Sequence, residues 1–241
     1  MKGAGHRAEP AVVTHGEQRF VISVRPSARA RRLALKIDPR RGAELVLPRG
    51  VSRRRGLAFA AEHGAWLAAR LAALPEAVPF ADGATIPYLG QPHRICHLPH
   101  TPPKRRPGPV WRQDDTICVS GRLPHLARRL SDWLRHAARQ EAVSRAEAAA
   151  RRLGASFQRL SVRDPRTRWG SCSAKGSLSF SWRLIMAPDA VFDYVVAHEV
   201  AHLHELNHGA RFWDLVDQLV PDSAAPRDWL SQHGAALHRY G

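Results

Sequence analysis

The chain has 241 residues, 44% hydrophobic and 24% charged, the composition of a folded globular protein and not of a fibre or a disordered tail. Its formal net charge is +16, from 37 Lys+Arg against 21 Asp+Glu, which raises the question of an anionic partner such as nucleic acid. No stretch approaches the roughly 20 consecutive apolar residues of a membrane span.

The excess charge is uneven. Residues 1–110 carry 19 basic and 7 acidic side chains, residues 111–160 carry 10 and 5, and residues 161–241 carry 8 and 9. A nucleic acid would therefore be expected to meet the basic N-terminal region. The leading MKGAGHRAEP has no apolar segment of a secretory signal. Cys96, Cys118 and Cys172 are odd in number and far apart, so the expected setting is the reducing cytoplasm.

In chain order, residues 1–16 read as a flexible, polar N-terminus. Phe20, Ile22 and Val24 alternate with polar neighbours, as do Leu33, Leu35 and Ile37, and each run predicts a half-buried strand. ELVL at 44–47 predicts a third. From Gly56 to Leu74 the apolar residues fall at helical spacing, and Pro75 ends that helix. Ile86–Tyr88 and Arg94–Leu98 flank Gly90-Gln91 as a hairpin, prolines make 100–109 a loop, and Val110–Val119 turns at Asp114-Asp115. A long helix is expected from Pro124 to Leu153 with Gly154 as its C-cap. Leu126, Leu130, Trp133, Leu134, Ala137 and Ala138 form its apolar stripe, and its arginines are expected to face solvent.

The chemistry gathers in the last third. HEVAH places His198, Glu199 and His202 on a helix for which Asp189 is the expected N-cap. Residues four apart share a helix face, so two imidazoles at that spacing suit one tetrahedral cation, with Glu199 beside them as a proton acceptor. A catalytic zinc takes a third protein ligand. His208 is the leading candidate if the chain turns between His204 and His208, where Asn207 and Gly209 would supply left-handed conformations. His204 points to the opposite side of the helix, and Asp214, Asp217, His233 and His238 are alternatives. The spacing equals that of the metzincins, but Glu205 stands where their turn glycine would be and no Met-turn follows. RFWDLVDQLVP predicts a helix that packs on the metal helix and fixes His208. RTRWGSCSAKGSLSFSWRLIMAP, residues 166–188, reads as a hairpin turning at Lys175-Gly176. Its strand either pairs with an extended peptide or uses small Ser and Gly residues for close packing.

RWGSCSAKGSLSFSWRLIMAP and HEVAHLHELNHGARFW resemble the YgjP-like zinc metallopeptidases, relatives of the SprT-type minimal proteases within the thermolysin-like, gluzincin-like group. The strongest likeness covers about residues 160–222, and ARARRLALKI and Pro-Arg-Gly at 48–50 extend it towards the N-terminus. The resemblance implies one zinc ion, or another divalent metal, on His198, His202 and His208, with Glu199 as general base and the tryptophan-glycine-serine hairpin beside the site. Arg168, Trp169, Ser171 and Arg183 are the expected substrate contacts, and Arg168, Arg183, Tyr194 and His204 are candidates to stabilise an oxyanion. Cys172 is expected to be a buried, inert thiol.

The expected fold is α+β. A basic, strand-rich N-terminal part with one helix leads to a long helix, a β-hairpin and a zincin-like HExxH metal helix with following helices. The expected boundaries are 1–16, 17–120 for the basic region, and 121–241 for the zincin-like metallopeptidase domain. The expected activity is peptide hydrolysis on a peptide or protein substrate. A metal-dependent nucleotide phosphoanhydride hydrolase, or a protease acting on DNA-bound proteins, is the alternative.

Overall fold

The computed structural model describes residues 9–38, 42–74, 76–100 and 108–241. Two compact units divide the chain, Met1–Ala77 and Val78–Gly241. A boundary at 120/121, suggested by composition, falls inside the second unit. The sheet before that point buries Ile86, Ile95, Ile117 and Val119 in the same core as the helices after it.

In the first unit β1 (Glu9–His15) and β2 (Gln18–Ser27) form an antiparallel hairpin. The chain from Glu9 is thus ordered where a flexible segment to residue 16 was expected; residues 1–8 lie outside the described set. The polar surface of β1 disguised it, because only Val13 is buried. β3 (Ala34–Asp38) and β4 (Gly42–Pro48) complete a sheet of order β1-β2-β4-β3. Phe20, Ile22 and Val24 point inward at period two, with Leu45 and Leu47 from β4. Instead of one helix there are two, α1 (Arg53–Glu62) and α2 (Gly64–Ala72). They break at His63, which leaves helical geometry with ψ 21°. At Gly64 a Cβ would run into the His15 side chain, so β1 sets where α2 begins. The expected stop at Pro75 lies outside the described residues.

In the second unit β5 (Thr85–Tyr88), β6 (Gln91–Leu98), β7 (Val110–Gln113) and β8 (Thr116–Ser120) form a sheet of order β5-β6-β8-β7. Both expected hairpins are present. The first turns on Leu89-Gly90, one residue before the expected Gly90-Gln91: Gln91 already pairs with Tyr88, and both turn residues have positive φ, as a two-residue type I′ loop requires. Most of the expected 100–109 loop lies outside the described residues.

The long helix α3 (Leu126–Arg152) ends in a Schellman motif: Ala155 N donates to Ala150 O, Gly154 N to Arg151 O, and Gly154 has φ 64°. Its buried stripe continues past the expected residues through Ala142, Ala146 and Ala150. These small side chains line the surface that packs on the helix Asp189–Ala201 and on the turn Trp182–Met186. Several of its arginines do not simply face solvent. Arg129 donates to Ser120 O, Arg139 to Leu160 O, and Arg152 to Leu219 O and Gln218 O, while Arg145 pairs with Asp189 and Asp193. A guanidinium near a helix surface can satisfy carbonyls left over at element ends, and these do so.

β9 (Arg159–Arg163), β10 (Gly170–Cys172) and β11 (Ser177–Ser181) form a third sheet, of order β10-β11-β9. β10 and β11 are the expected hairpin; β9 joins β11 in parallel. α4 (Asp189–Ala201), α5 (Ala210–Leu219) and α6 (Ala224–His233) follow. Asp189 lies in the first turn of α4 and does not cap it; the capping position is Pro188, whose extended ψ of 148° leads into the helix. The fold is mixed α+β, with three small sheets and six α-helices among the described residues.

Candidate metal centre

α4 carries HEVAH on its last turn, and nine of its thirteen residues are buried. A helix enclosed on most sides holds its side chains in fixed rotamers, which is what a ligand pair four residues apart needs. The helix stops at His202, and residues 203–209 double back. Leu203 N bonds Val200 O, and His204 N and Glu205 N bond Ala201 O. α5 then starts from Gly209, in extended geometry with φ −79° and ψ −175°. The turn therefore uses no left-handed Asn207 or Gly209. Spread over seven residues, the reversal needs no single residue with positive φ.

That reversal brings His208 to the pair on α4. The ligand-capable atoms of His198, His202 and His208 all lie within 4.8 Å of one another. His198 Nε2 and His208 Nε2 are 3.1 Å apart, close to the roughly 3.3 Å between two nitrogens bound tetrahedrally at about 2.0–2.1 Å. His202 donates from Nδ1 to Glu205 O at 2.9 Å, which fixes its tautomer and leaves the Nε2 lone pair for the cluster. Burial, with His202 and His208 alongside, pushes the His198 pKa down to about 4. The imidazole is then neutral and its lone pair is available. Three imidazole nitrogens, ligands of borderline softness, fit a zinc-like divalent ion. Among the described residues this is the one such group; Asp214, Asp217, His233 and His238 do not join it. Asp217 accepts from Ser223, and His238 packs on Trp169.

Phe212, on α5, fills the space against the triad. It is fully buried, with its ring centroid 4.8 Å from His198, 4.5 Å from His202 and 4.6 Å from His208. This is the packing expected of RFWDLVDQLVP. His204 points away, as expected, and donates to Leu153 O beyond the end of α3. That places it outside the oxyanion candidates. Tyr194, one turn before His198, meets its ring edge-on at 5.9 Å, and burial raises the phenol pKa.

Glu199 is buried, and burial pushes its pKa up to about 7 against the lowering effects of the Cys172 N–H and of Arg168. A bound cation would draw the carboxyl back towards its ionised form. β10 runs directly over it. A Cβ on Gly170 would lie 2.5 Å from both Cγ and Oε1 of Glu199, so only glycine admits this approach of strand and carboxylate. β10 is also an edge strand. Trp169 O accepts from Ser181 N and Ser173 N donates to Ser177 O, so the alternate residues Gly170 and Cys172 turn their main-chain groups to the free edge. The Cys172 N–H there donates to Glu199. Its thiol is half-buried, and burial with the nearby Glu199 raises its pKa, so it stays protonated.

The expected substrate contacts separate into two pairs. Arg168 is exposed and Ser171 half-buried, and both line a depression beside β10. Trp169 is half-buried against His238 and Gly234. Arg183 is not a substrate contact or an oxyanion group. It is 1% exposed, bonds Asp164 through Nε at 2.8 Å, and donates to Leu237 O and Tyr240 O. Its place in the hairpin suggested a ligand-facing cation, but the strand ends in the turn Trp182–Met186, which carries the side chain into the core. The role of Gly170 had only a generic signal, a small residue in the hairpin. The Cys172 N–H had none, since a main-chain group leaves no mark on composition.

No curated protein matches the chain. Among solved structures, the metallopeptidase zymogen abylysin of Pyrococcus abyssi is similar over 38% of this chain and 92% of its own, at 21% identity and a TM-score of 0.35. Residues 31–233 match the YgjP-like metallopeptidase domain. The chain belongs to the YgjP-like metallopeptidase family.

Proposed function

We propose that the protein is a zinc peptidase of the HExxH type in which His198, His202 and His208 hold the ion and Glu199 is the general base. The observation that carries this reading is the convergence of the three imidazoles beside a buried carboxyl on the same helix turn. When bound, zinc supplies Lewis acidity, polarising a carbonyl and lowering the pKa of water to about 7. Glu199 takes a proton from the attacking water and returns it to the leaving amine. The Cys172 N–H orients the carboxylate meanwhile. The free edge of β10 offers main-chain groups to an extended peptide, which would align the scissile bond along the strand. Arg168, the exposed cation nearest in effect to Glu199, is the candidate to face a developing oxyanion.

The test compares wild type, Glu199→Gln and His198→Ala on peptides, unfolded proteins and nucleoside triphosphates, with metal content measured for each. Glu199→Gln is expected to keep the metal and lose peptide hydrolysis, and His198→Ala to lose both. Hydrolysis confined to the triphosphates would overturn the peptidase reading. No helix among the described residues is long and apolar enough to cross a membrane.

A further inference from the structure

The sheet that covers Glu199 has a second face. Its strands bury Leu160, Leu178 and Phe180 on one side. By the two-residue alternation of a strand, Arg159, Ser161 and Arg163 of β9, Ser177 and Ser179 of β11, and Ser171 of β10 share the other. The register sets Ser171 opposite Ser179, and Ser179 opposite Ser161. Three hydroxyls therefore lie in one row across all three strands. Arg159 and Arg163 stand at the two ends of β9, Lys175 is at the hairpin turn, and Arg168 lies just before β10. Together they line an open depression of about 510 Å³.

No acidic residue lines this depression among the described residues. The carboxylate nearest in sequence, Asp164, is committed to Arg183 and Arg135. Among the described residues Arg159, Arg163 and Lys175 have no ion-pair partner, in contrast to Arg128, Arg135 and Arg145 of α3. Like charges gathered without counter-charge repel one another, and hydroxyl donors beside them offer further hydrogen bonds to an anion. The summed charge of residues 161–241 conceals the patch, because the acids of that region lie elsewhere.

We propose that this face is a carboxylate-binding subsite for polypeptide substrates, selecting chains with Asp or Glu at alternate positions. The inference rests on the peptidase reading. A peptide added at the edge of β10 continues the sheet, so every second side chain emerges on the serine face. The patch spans five-residue strands, about 17 Å at 3.3–3.4 Å per residue. That is the reach of a short acidic segment. No aromatic ring lines it as a stacking platform of the kind single-stranded nucleic acids use.

The experiment uses the full chain carrying Glu199→Gln, so that binding is read without turnover. Fluorescent peptides with Glu at every second position are compared with their Gln counterparts by anisotropy. The Glu peptide is expected to bind about tenfold more tightly at low salt, and the advantage to vanish near about 0.5 M salt, where exposed charges are screened. Adding Arg159→Ser, Arg163→Ser and Lys175→Ser should bring the affinity ratio close to one, with thermal melting as the check on folding. The single Lys175→Glu change, at an exposed turn, should invert the preference in part. Equal affinity for the two peptides in the parent protein overturns the subsite, as does a DNA duplex that displaces the Glu peptide at equal charge. Acidic peptides that bind although wild type cleaves no peptide support the subsite and refute the peptidase reading. Cleavage without acidic preference does the reverse.

Discussion

The contact between Gly170 and Glu199 makes a sharp prediction for Gly170→Ala. The new methyl carbon would lie 2.5 Å from Cγ and Oε1 of Glu199, whereas ordinary contact begins at 3.4 Å. Strand and carboxylate must then separate by about 1 Å, a displacement that can cost about 100-fold in rate. Gly170 does not have positive φ, so alanine brings no backbone strain, and replacing glycine within a strand is mildly favourable to folding. Turnover and stability should therefore part company. kcat/KM on a quenched peptide is expected to fall about 100-fold, with metal content unchanged and Tm lowered by only a few degrees. Activity within about threefold of wild type, with the metal in place, would refute the assigned distance between strand and base.

Arg183→Met should destabilise the protein by about 1–3 kcal/mol, the cost of leaving buried groups without their hydrogen-bond donor, here the Leu237 and Tyr240 carbonyls, read as a loss of Tm or of the urea midpoint. Burial tends to raise the Asp164 carboxyl, but the bonds from Arg183 outweigh it and hold the group below the usual carboxylate range. The stabilisation is then present above the unfolded Asp pKa and is lost as pH falls through the native value. Acid titration of stability should be correspondingly flatter in Arg183→Met. Phe212→Ala removes the ring packed against all three imidazoles and should cost about 3–5 kcal/mol. It should also weaken zinc binding, measured by competition with a chelating dye, by about 10–100-fold.

What could be read from the sequence follows the range of the interactions involved. HEVAH is local: four residues along one helix place two imidazoles by covalent geometry alone, and the amphipathic run that follows predicted the packing of Phe212. The hairpins around Gly90 and Gly176 are equally local, since turn chemistry marks them, although the first turns one residue earlier than expected. The break between α1 and α2 is not, because it depends on His15 from a strand some fifty residues earlier meeting Gly64. β1 escaped notice for a related reason, with one buried side chain and an edge position. Arg183 was misjudged because a cation beside a catalytic motif looks the same in sequence whether its partner is a substrate or two carbonyls near the C-terminus. The serine face was invisible until β9 was seen to lie in register with β11.

The clamp on Arg183 also has a temporal side. Its guanidinium joins the end of the β10–β11 hairpin to Leu237 O and Tyr240 O. Val78, the first residue of the same unit, exchanges main-chain hydrogen bonds with Arg239 and Gly241. Synthesis runs from Val78 towards Gly241, so the hairpin whose β10 strand lies over Glu199 receives this anchor from residues that leave the ribosome after His198, His202 and His208. A nascent chain thus holds all three imidazoles before it holds this support for the hairpin. Contacts of such long sequence separation also form late in folding. Competence to hydrolyse would therefore arrive with the closing of the unit and not with the capture of the metal.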